Sequence, residues 1–255
     1  MKFNNKGVQV SKNASIGTNV SIGDNTVIYD NVHIGDNTVI SNNCIIGEPT
    51  KEYYNLNGEY LNQPTYIGCN SLIRSHNILY SGSSFGEQFI TGHKTIIREN
   101  TKIGDFCRIG TLCDIQGDVQ IGNYCFFHSN VHIGQKSRIA NFVFIYPYVV
   151  LTNDPTPPSE NLKGVIIDDF AQIAVHSVIL PGIHISKHTL VGANTTLTKD
   201  TDPFDLVIGN PGVRIKDVRD LEINGKKHYP WPYNFNRNMP WEKIGYEKWL
   251  KLTSD

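Results

Sequence analysis

No segment of this sequence approaches the ~20 consecutive apolar residues that a membrane-crossing helix needs. The first residues, Met1-Lys2-Phe3-Asn4-Asn5, lack the apolar core of a secretory signal. A soluble cytoplasmic protein is therefore expected. A charge excess is also missing. Lys and Arg number 23, Asp and Glu 24, for a net charge of −1, so neither nucleic acid nor a membrane surface is expected as a partner. The five cysteines form no CxxC pair, which removes the usual zinc-finger spacings. At this stage they remain open as catalytic thiols, disulfide partners or filler. With 255 residues there is chain enough for one large domain or two small ones.

What is present is a period of six. Beginning at Ile16, a large apolar residue returns at Ile22, Ile28, Ile34, Ile40 and Ile46. After a phase slip the pattern resumes at Ile67 and runs through Ile97, Ile115, Ile133 and Ile145 to Leu151. A second slip precedes Ile167, from which it continues to Leu197. Of these 27 slots 26 hold Ile, Leu, Val or Phe, in a chain only 39% hydrophobic; Thr91 is the exception. The position two before each slot is nearly always small or β-branched, and 12 of the 27 following positions are Gly. Six matches neither the 3.6-residue period of a helix nor the two-residue alternation of a half-buried strand. It matches a short strand and a turn, repeated. Three such units make an 18-residue triangular coil, and coils stack at the β-spacing of about 4.8 Å. The expected fold is an all-β parallel β-helix of about nine coils over residues 1–200. Loops are inserted at 48–66 and 152–166, and an exit segment and tail at 201–255 carry a short helix from Trp241 to Leu250. Cys44, Cys107, Cys113 and Cys125 fall in the small-residue position, which favours buried reduced filler.

Residues 18 apart should stack in columns. One column is Arg74, Gly92, Gly110, His128 and Tyr146, in which His128 and Arg74 stand where Gly is common. Another is Glu99, Gly117, Gln135 and Asn153, with Asp154 expected over Lys136 as the second insert opens. Counted this way, His128, Gln135, Asn153 and Asp154 should converge within two coil spacings, roughly 10 Å. A polar cluster beside a proline-rich insert has the makings of a lidded site. The ordinary alternatives are a solvated His128 and an Asp154 that only forms a turn. The pairs His128/His132 and His184/His188 raise zinc as a competitor, but in a hexad a spacing of four does not bring two imidazoles to one face. A zinc site across subunits, as in the γ-class carbonic anhydrases, stays as an alternative.

Several segments resemble the dTDP-3-amino-3,6-dideoxyhexose N-acetyltransferases, members of the hexapeptide-repeat acyltransferases. They are Thr91-Gly92-His93-Lys94, Ile97-Arg98-Glu99-Asn100, His128-Ser129-Asn130, the loop LTNDPTPPS from Leu151 to Ser159, and the tail YPWPYNFNRNMPWE from Tyr229 to Glu242. The resemblance implies a left-handed coil and a homotrimer with sites between subunits. It also implies a nucleotide-linked amino sugar and acetyl-CoA as co-substrates, with no metal required and surface-glycan biosynthesis as the setting. It makes Asp154 the group that orients the amine, with Asn153 and Gln135 holding the sugar and His128 positioning rather than abstracting. Arg74 and Arg98 would contact the diphosphate, with His93 and Tyr146 lining the substrate pocket. Ala174, Gly192 and Ala193 would flank pantetheine, and Lys199 and Arg214 would meet the CoA phosphates. Two departures stand out. Gly209-Asn210-Pro211-Gly212 replaces an expected Gly-Asn-Pro-Ala, and Gln135 stands where the resemblance implies Glu. The sibling expectation is a sugar O-acetyltransferase, in which His128 would be the base.

Overall fold

The computed structural model describes residues 3–55, 60–227 and 235–253. Its core is a parallel β-helix of very short strands arranged on three faces. Face one carries ten strands from Gln9–Val10 to Thr196–Leu197, and face two carries nine from Ser15–Ile16 to His184–Ile185. Face three runs from Ser21–Ile22 to the parallel strand Asp205–Ile208, then adds Val213–Asp217 antiparallel at its end. The prism thus takes in one strand before the Ile16 hexad and one after the Leu197 hexad.

The six-residue arithmetic is realised residue by residue. Ile96 pairs with Asp114 and Ile97 with Ile115, then Asp114 with His132 and Ile115 with Ile133, each step 18 residues. The inserts lengthen a coil and pairing resumes across them, Ile45 with Ile78 and Arg138 with Ile166, with one register shift at the mouth of the first, where Tyr80 pairs with Glu48. The first insert contains the short helix Lys51–Asn55. Slot residues from Ile28 to Leu197 are buried in one continuous core, whereas Val10 and Ile16 at the first coil are exposed. Burial of each such side chain is worth ~1.5–3 kcal/mol, so the stacked slots dominate the stability of the prism.

Corners need a residue in the left-handed region. Asn supplies it at Asn19, Asn25, Asn37 and Asn43, with φ between 54° and 58°, because its short polar side chain tolerates that conformation. On the corner from face two to face three, Asn19 and Asn37 give way to aromatic rings from Phe106 onward. Phe106, Tyr124, Phe142, Phe170, His188 and Phe204 all have positive φ and stack as a continuous ladder at centroid spacings of 4.7–5.1 Å. Each stacked pair returns about 0.5–1.5 kcal/mol, which offsets a backbone conformation costing a comparable amount.

The tail packs on this ladder. Trp241 is completely buried against Phe142 and Phe170, in a cluster with Met239, Tyr246 and Trp249. The terminal helix spans Tyr246–Thr253, starting five residues and ending three residues later than the sequence suggested. Residues 241–244 form turns, with the Gly245 N–H donating to the Trp241 carbonyl. The Tyr229-to-Tyr233 aromatic run lies outside the described residues.

The cysteine expectation holds. Cys44, Cys107, Cys113 and Cys125 are buried and free, and the Cys125 N–H points at the Cys107 sulfur at 3.4 Å in the next coil. Burial raises the Cys44 and Cys113 thiols to about 11, a range in which they are inert filler.

Candidate functional site

His128 follows its slot residue Phe127 and opens the corner between faces three and one. The Ser129 N–H donates to His128 Nδ1 at 3.1 Å. A neutral imidazole that accepts at Nδ1 carries its proton on Nε2, so the outward nitrogen is a donor. A groove of about 210 Å³ runs along the same column on face three, lined by Arg74, Gly92, Arg108, Gly110, Phe126 and His128. Arg74 and His128 therefore share one groove, three coils apart, as the column predicts. The glycines between them are required by packing. A Cβ on Gly92 would lie 2.3 Å from the Thr111 nitrogen, and one on Gly110 would lie 2.4 Å from the His128 carbonyl carbon.

The exceptional slot lies directly under this groove. Thr91 is buried, and its hydroxyl accepts the Arg74 N–H at 3.0 Å and the Asn77 amide at 3.0 Å. Asn77, also buried, donates to the carbonyls of Arg74 and Gly92. A polar plug has replaced an aliphatic residue where Arg74 leaves the coil. His93 lies one corner position further on, its Nδ1 2.8 Å from the Ser75 hydroxyl. Tyr146 stands in the coil above His128, its ring 4.8 Å from that of Phe144, and partial burial raises its phenol.

The second group of predicted residues lies elsewhere. Gln135, Asn153 and Asp154 occupy the corner between faces one and two, and the whole strand His132–Ile133 separates them from His128. The expected convergence of all four within one chain does not occur. His128 follows the slot of face three and Gln135 that of face one, so a difference of seven residues crosses a face. Gln135 donates to the Asp118 carboxylate at 2.8 Å. Asn153 is packed beside Gly134, where a Cβ would come within 3.0 Å of the Asn153 Cβ. The residue over Lys136 is Gly164, not Asp154, because the insert departs after Asn153 and returns only there.

Asp154 closes the proline-rich loop on itself. Its carboxylate accepts the Ser159 hydroxyl at 2.6 Å, the Ser159 N–H at 2.7 Å and the Thr156 N–H at 3.0 Å. These bonds, the Ser159 hydroxyl foremost, lower its pKa and keep it anionic at neutral pH. A carboxylate has about four acceptor positions, so three bonds leave room for one more donor.

Other assignments move as well. Arg98 is not in the Arg74 groove. It lines a cavity of about 680 Å³ under the first insert with Glu48, Lys51, Tyr54, Tyr80 and Glu99, and is held bidentately by Glu99 at 2.6 and 3.0 Å. Arg214 is likewise paired, with Asp205 at 2.5 Å. Backbone N–H groups of Ala174 and Gly192 are spent on the carbonyls of Val191 and Val207 at 2.8 Å, which leaves Ala193, on the exposed corner, as the open position. Lys199 is exposed.

Sequence reasoning passed over His132 except as a zinc candidate. Its Nδ1 lies 3.1 Å from the Asp114 carboxylate one coil below, which leaves Nε2 facing away from the pair. That hydrogen bond is the main cause of the lowered Asp114 pKa. The 18-residue step from 114 to 132 was the available signal. Among the described residues no three His, Cys, Asp or Glu side chains gather into a metal-binding group, and no helix is long and apolar enough to cross a membrane.

Known proteins share the repeat and the fold. Residues 6–48 and 100–135 match the family described as bacterial transferase hexapeptide (six repeats). The acyl-[acyl-carrier-protein]–UDP-N-acetylglucosamine O-acyltransferase of Stutzerimonas stutzeri is 28% identical over 177 residues, covering 64% of this chain and 58% of the relative. The bifunctional protein GlmU of a Picosynechococcus strain is 29% identical over 160 residues, covering 61% of this chain and 33% of that protein. The chain thus spans little more than half the length of the first relative and a third of the second. The crystal structure of an Arabidopsis UDP-N-acetylglucosamine acyltransferase superposes with a TM-score of 0.64 at 16% identity, over 83% of this chain and 73% of that one. It shares the fold.

Proposed function

We propose that this chain is a hexapeptide-repeat acyltransferase that moves an acetyl group from acetyl-CoA to the amine of a nucleotide-linked deoxyamino sugar, of the dTDP-3-amino-3,6-dideoxyhexose class. The hexapeptide match and acyltransferase relatives support the acyl-transfer half of this reading. The observation that carries the amine half is the Ser129–His128 hydrogen bond. It leaves the imidazole with an Nε2–H to donate and no free lone pair there, which suits positioning more than base catalysis. A neutral amine needs orientation and no strong base. Its nitrogen attacks the thioester carbonyl, the C–N bond forms as the C–S bond breaks, and the surplus amine proton ends on the departing sulfur. Asp154, anionic and with an acceptor position to spare, would take one N–H of the attacking amine. The His128 groove and the Asp154 corner face opposite edges of face one, so they complement each other only across two copies. That arrangement supports a site between subunits of a homotrimer.

A specific observation favours a second reading. The His132–Asp114 pair has the geometry of a carboxylate-oriented base with Nε2 presented outward, and the relative is named as an O-acyltransferase. A hydroxyl acceptor would need such a base. The deciding experiment offers acetyl-CoA, longer acyl-CoA and acyl-[acyl-carrier-protein] donors against matched nucleotide-linked 3-amino, 4-amino and hydroxy sugars. Transfer to the amino sugars alone upholds the first reading. Transfer to UDP-N-acetylglucosamine alone replaces it with the second, and no transfer to either removes both.

A further inference from the structure

We propose that the first insert and the corner at Tyr29 form a binding site for an organic cation, a methylated ammonium group held between tyrosine rings. The site adjoins the strand Val27–Ile28 on face one, six strand steps from Val150–Leu151, which leads into Asp154. At the β-spacing that separation is about 29 Å. The site is therefore distinct from the residues of the proposed acyl transfer, and nothing in it rests on that function.

A pocket of about 290 Å³ opens there, with Tyr29, Tyr53 and Tyr60 among its walls. Tyr29 follows the slot residue Ile28, Tyr53 belongs to the helix Lys51–Asn55, and Tyr60 lies on the returning limb of the insert. The Tyr53 ring stands at 78° to Tyr29 and 82° to Tyr60, with centroids 6.3 and 5.6 Å away. Rings that meet near right angles form adjoining walls, not a stack. Hydrogen bonds hold them. The Tyr60 hydroxyl accepts the Thr50 N–H at 3.2 Å. Tyr54, whose ring backs Tyr53 at 5.1 Å, donates to the Glu48 carboxylate at 2.7 Å.

The charge of the pocket has one sign. Of the described residues that line it, Asp30 alone is charged. Asp30 is exposed at the rim, and its carboxylate accepts the Ser11 hydroxyl. Burial pushes the Tyr29 phenol up, and the nearby Glu48 charge adds to that effect. Tyr29 is thus neutral at physiological pH, and its ring keeps the negative π-face that attracts a cation. Asn62, buried in the wall, gives its amide N–H groups to the carbonyls of Asp30 and Gly47 at 3.2 and 2.8 Å. Its amide oxygen has no partner among the described residues, which adds a second unneutralised acceptor. The chemistry also selects the kind of cation. A metal ion calls for about six oxygen ligands, and a bare ammonium brings three donors that each need an acceptor. A methylated ammonium needs neither, because its charge is spread over C–H groups that pack on aromatic faces.

Calorimetric titrations of the whole protein test this with choline, tetramethylammonium, ethanolamine and the uncharged isostere in which carbon replaces the choline nitrogen. Choline is expected to bind roughly tenfold more tightly than its isostere, and less tightly as salt is raised. Tyr53→Leu should weaken choline by roughly 2- to 30-fold, the range for one lost ring. Tyr53→Phe keeps the ring and should bind as wild type does. Asp30→Asn should weaken choline and leave the isostere unchanged, and Tyr66→Leu on face two should alter nothing. Equal affinity for choline and its isostere would overturn the proposal, leaving an apolar pocket only. So would unchanged choline affinity in both Tyr53→Leu and Asp30→Asn, or failure of the wild type to bind choline or tetramethylammonium at millimolar concentration. Tighter binding of ethanolamine than of choline would replace the site with a hydrogen-bonding ammonium site. If Tyr53→Leu loosens the insert, seen as a lowered Tm, Asp30→Asn and the ligand series on the wild type decide.

Discussion

Ser129 hands its main-chain N–H to Nδ1 of its neighbour His128, at 3.1 Å, and so decides which imidazole nitrogen keeps the proton. If His128 positions the sugar through Nε2–H, His128→Ala should lower kcat/KM by roughly tenfold, the loss of one hydrogen bond. His128→Asn, which keeps a donor, should recover part of it. Turnover abolished in both variants would make His128 the base and sink the amine reading.

Asp154 should matter more. Asp154→Ala removes three bonds that close the proline-rich loop as well as the acceptor for the amine. Asp154→Asn keeps much of the shape and removes the charge. Both are expected to cost at least a hundredfold in kcat/KM, by lost charge-assisted bonding and lost orientation. If Asp154→Asn runs at wild-type rate, Asp154 is a turn-former and nothing more.

Asp114 gives a pH prediction that does not depend on turnover. Its folded pKa is depressed, chiefly by the His132 hydrogen bond. The associated stability is therefore present above the unfolded value, near 3.9, and disappears as pH falls through the lower folded value. Asp114→Asn should flatten the decline of Tm below about pH 4 relative to wild type. Parallel melting curves for the two proteins across that acid range would show the pair to be incidental.

Trp241 is buried on the outside of the ladder and not inside the prism. Trp241→Ala should cost about 3–5 kcal/mol in tail docking while leaving the stacked coils intact. Limited proteolysis should then cleave near the tail, with far-UV circular dichroism unchanged. Cooperative loss of the whole β signal would mean that the tail and prism fold as one unit.

Thiol labelling tests the cysteine assignments. Four of the five cysteines are buried and Cys69 is partly exposed. A thiol reagent at neutral pH should modify Cys69 in the native protein and all five after denaturation. Rapid native labelling of Cys107 or Cys125 would contradict the columns on which the geometry rests.

The period of six, with its small residues and glycines, was enough by itself to determine the prism, its three faces, the two inserts and the stacking of Cys107 on Cys125. Each of those follows from local rules: a slot must be filled, a corner must turn, and the next coil must repeat 18 residues later. Arg74 and His128 could be placed in one groove for the same reason, since their column never slips. What the tertiary structure alone decided depends on where side chains turn once outside the core. Nothing in the hexad count ties Arg98 to Glu99, Gln135 to Asp118 or Arg214 to Asp205, because outward residues are under no packing constraint. That His128 and Asp154 lie across a face from each other follows from the hexad count itself, whereas the seating of Gly164 over Lys136 is seen in the folded chain. The path of the tail was equally hidden. Its aromatics required a surface to cover, but only the folded chain shows that surface to be a ladder of rings built 16 to 28 residues apart along the sequence.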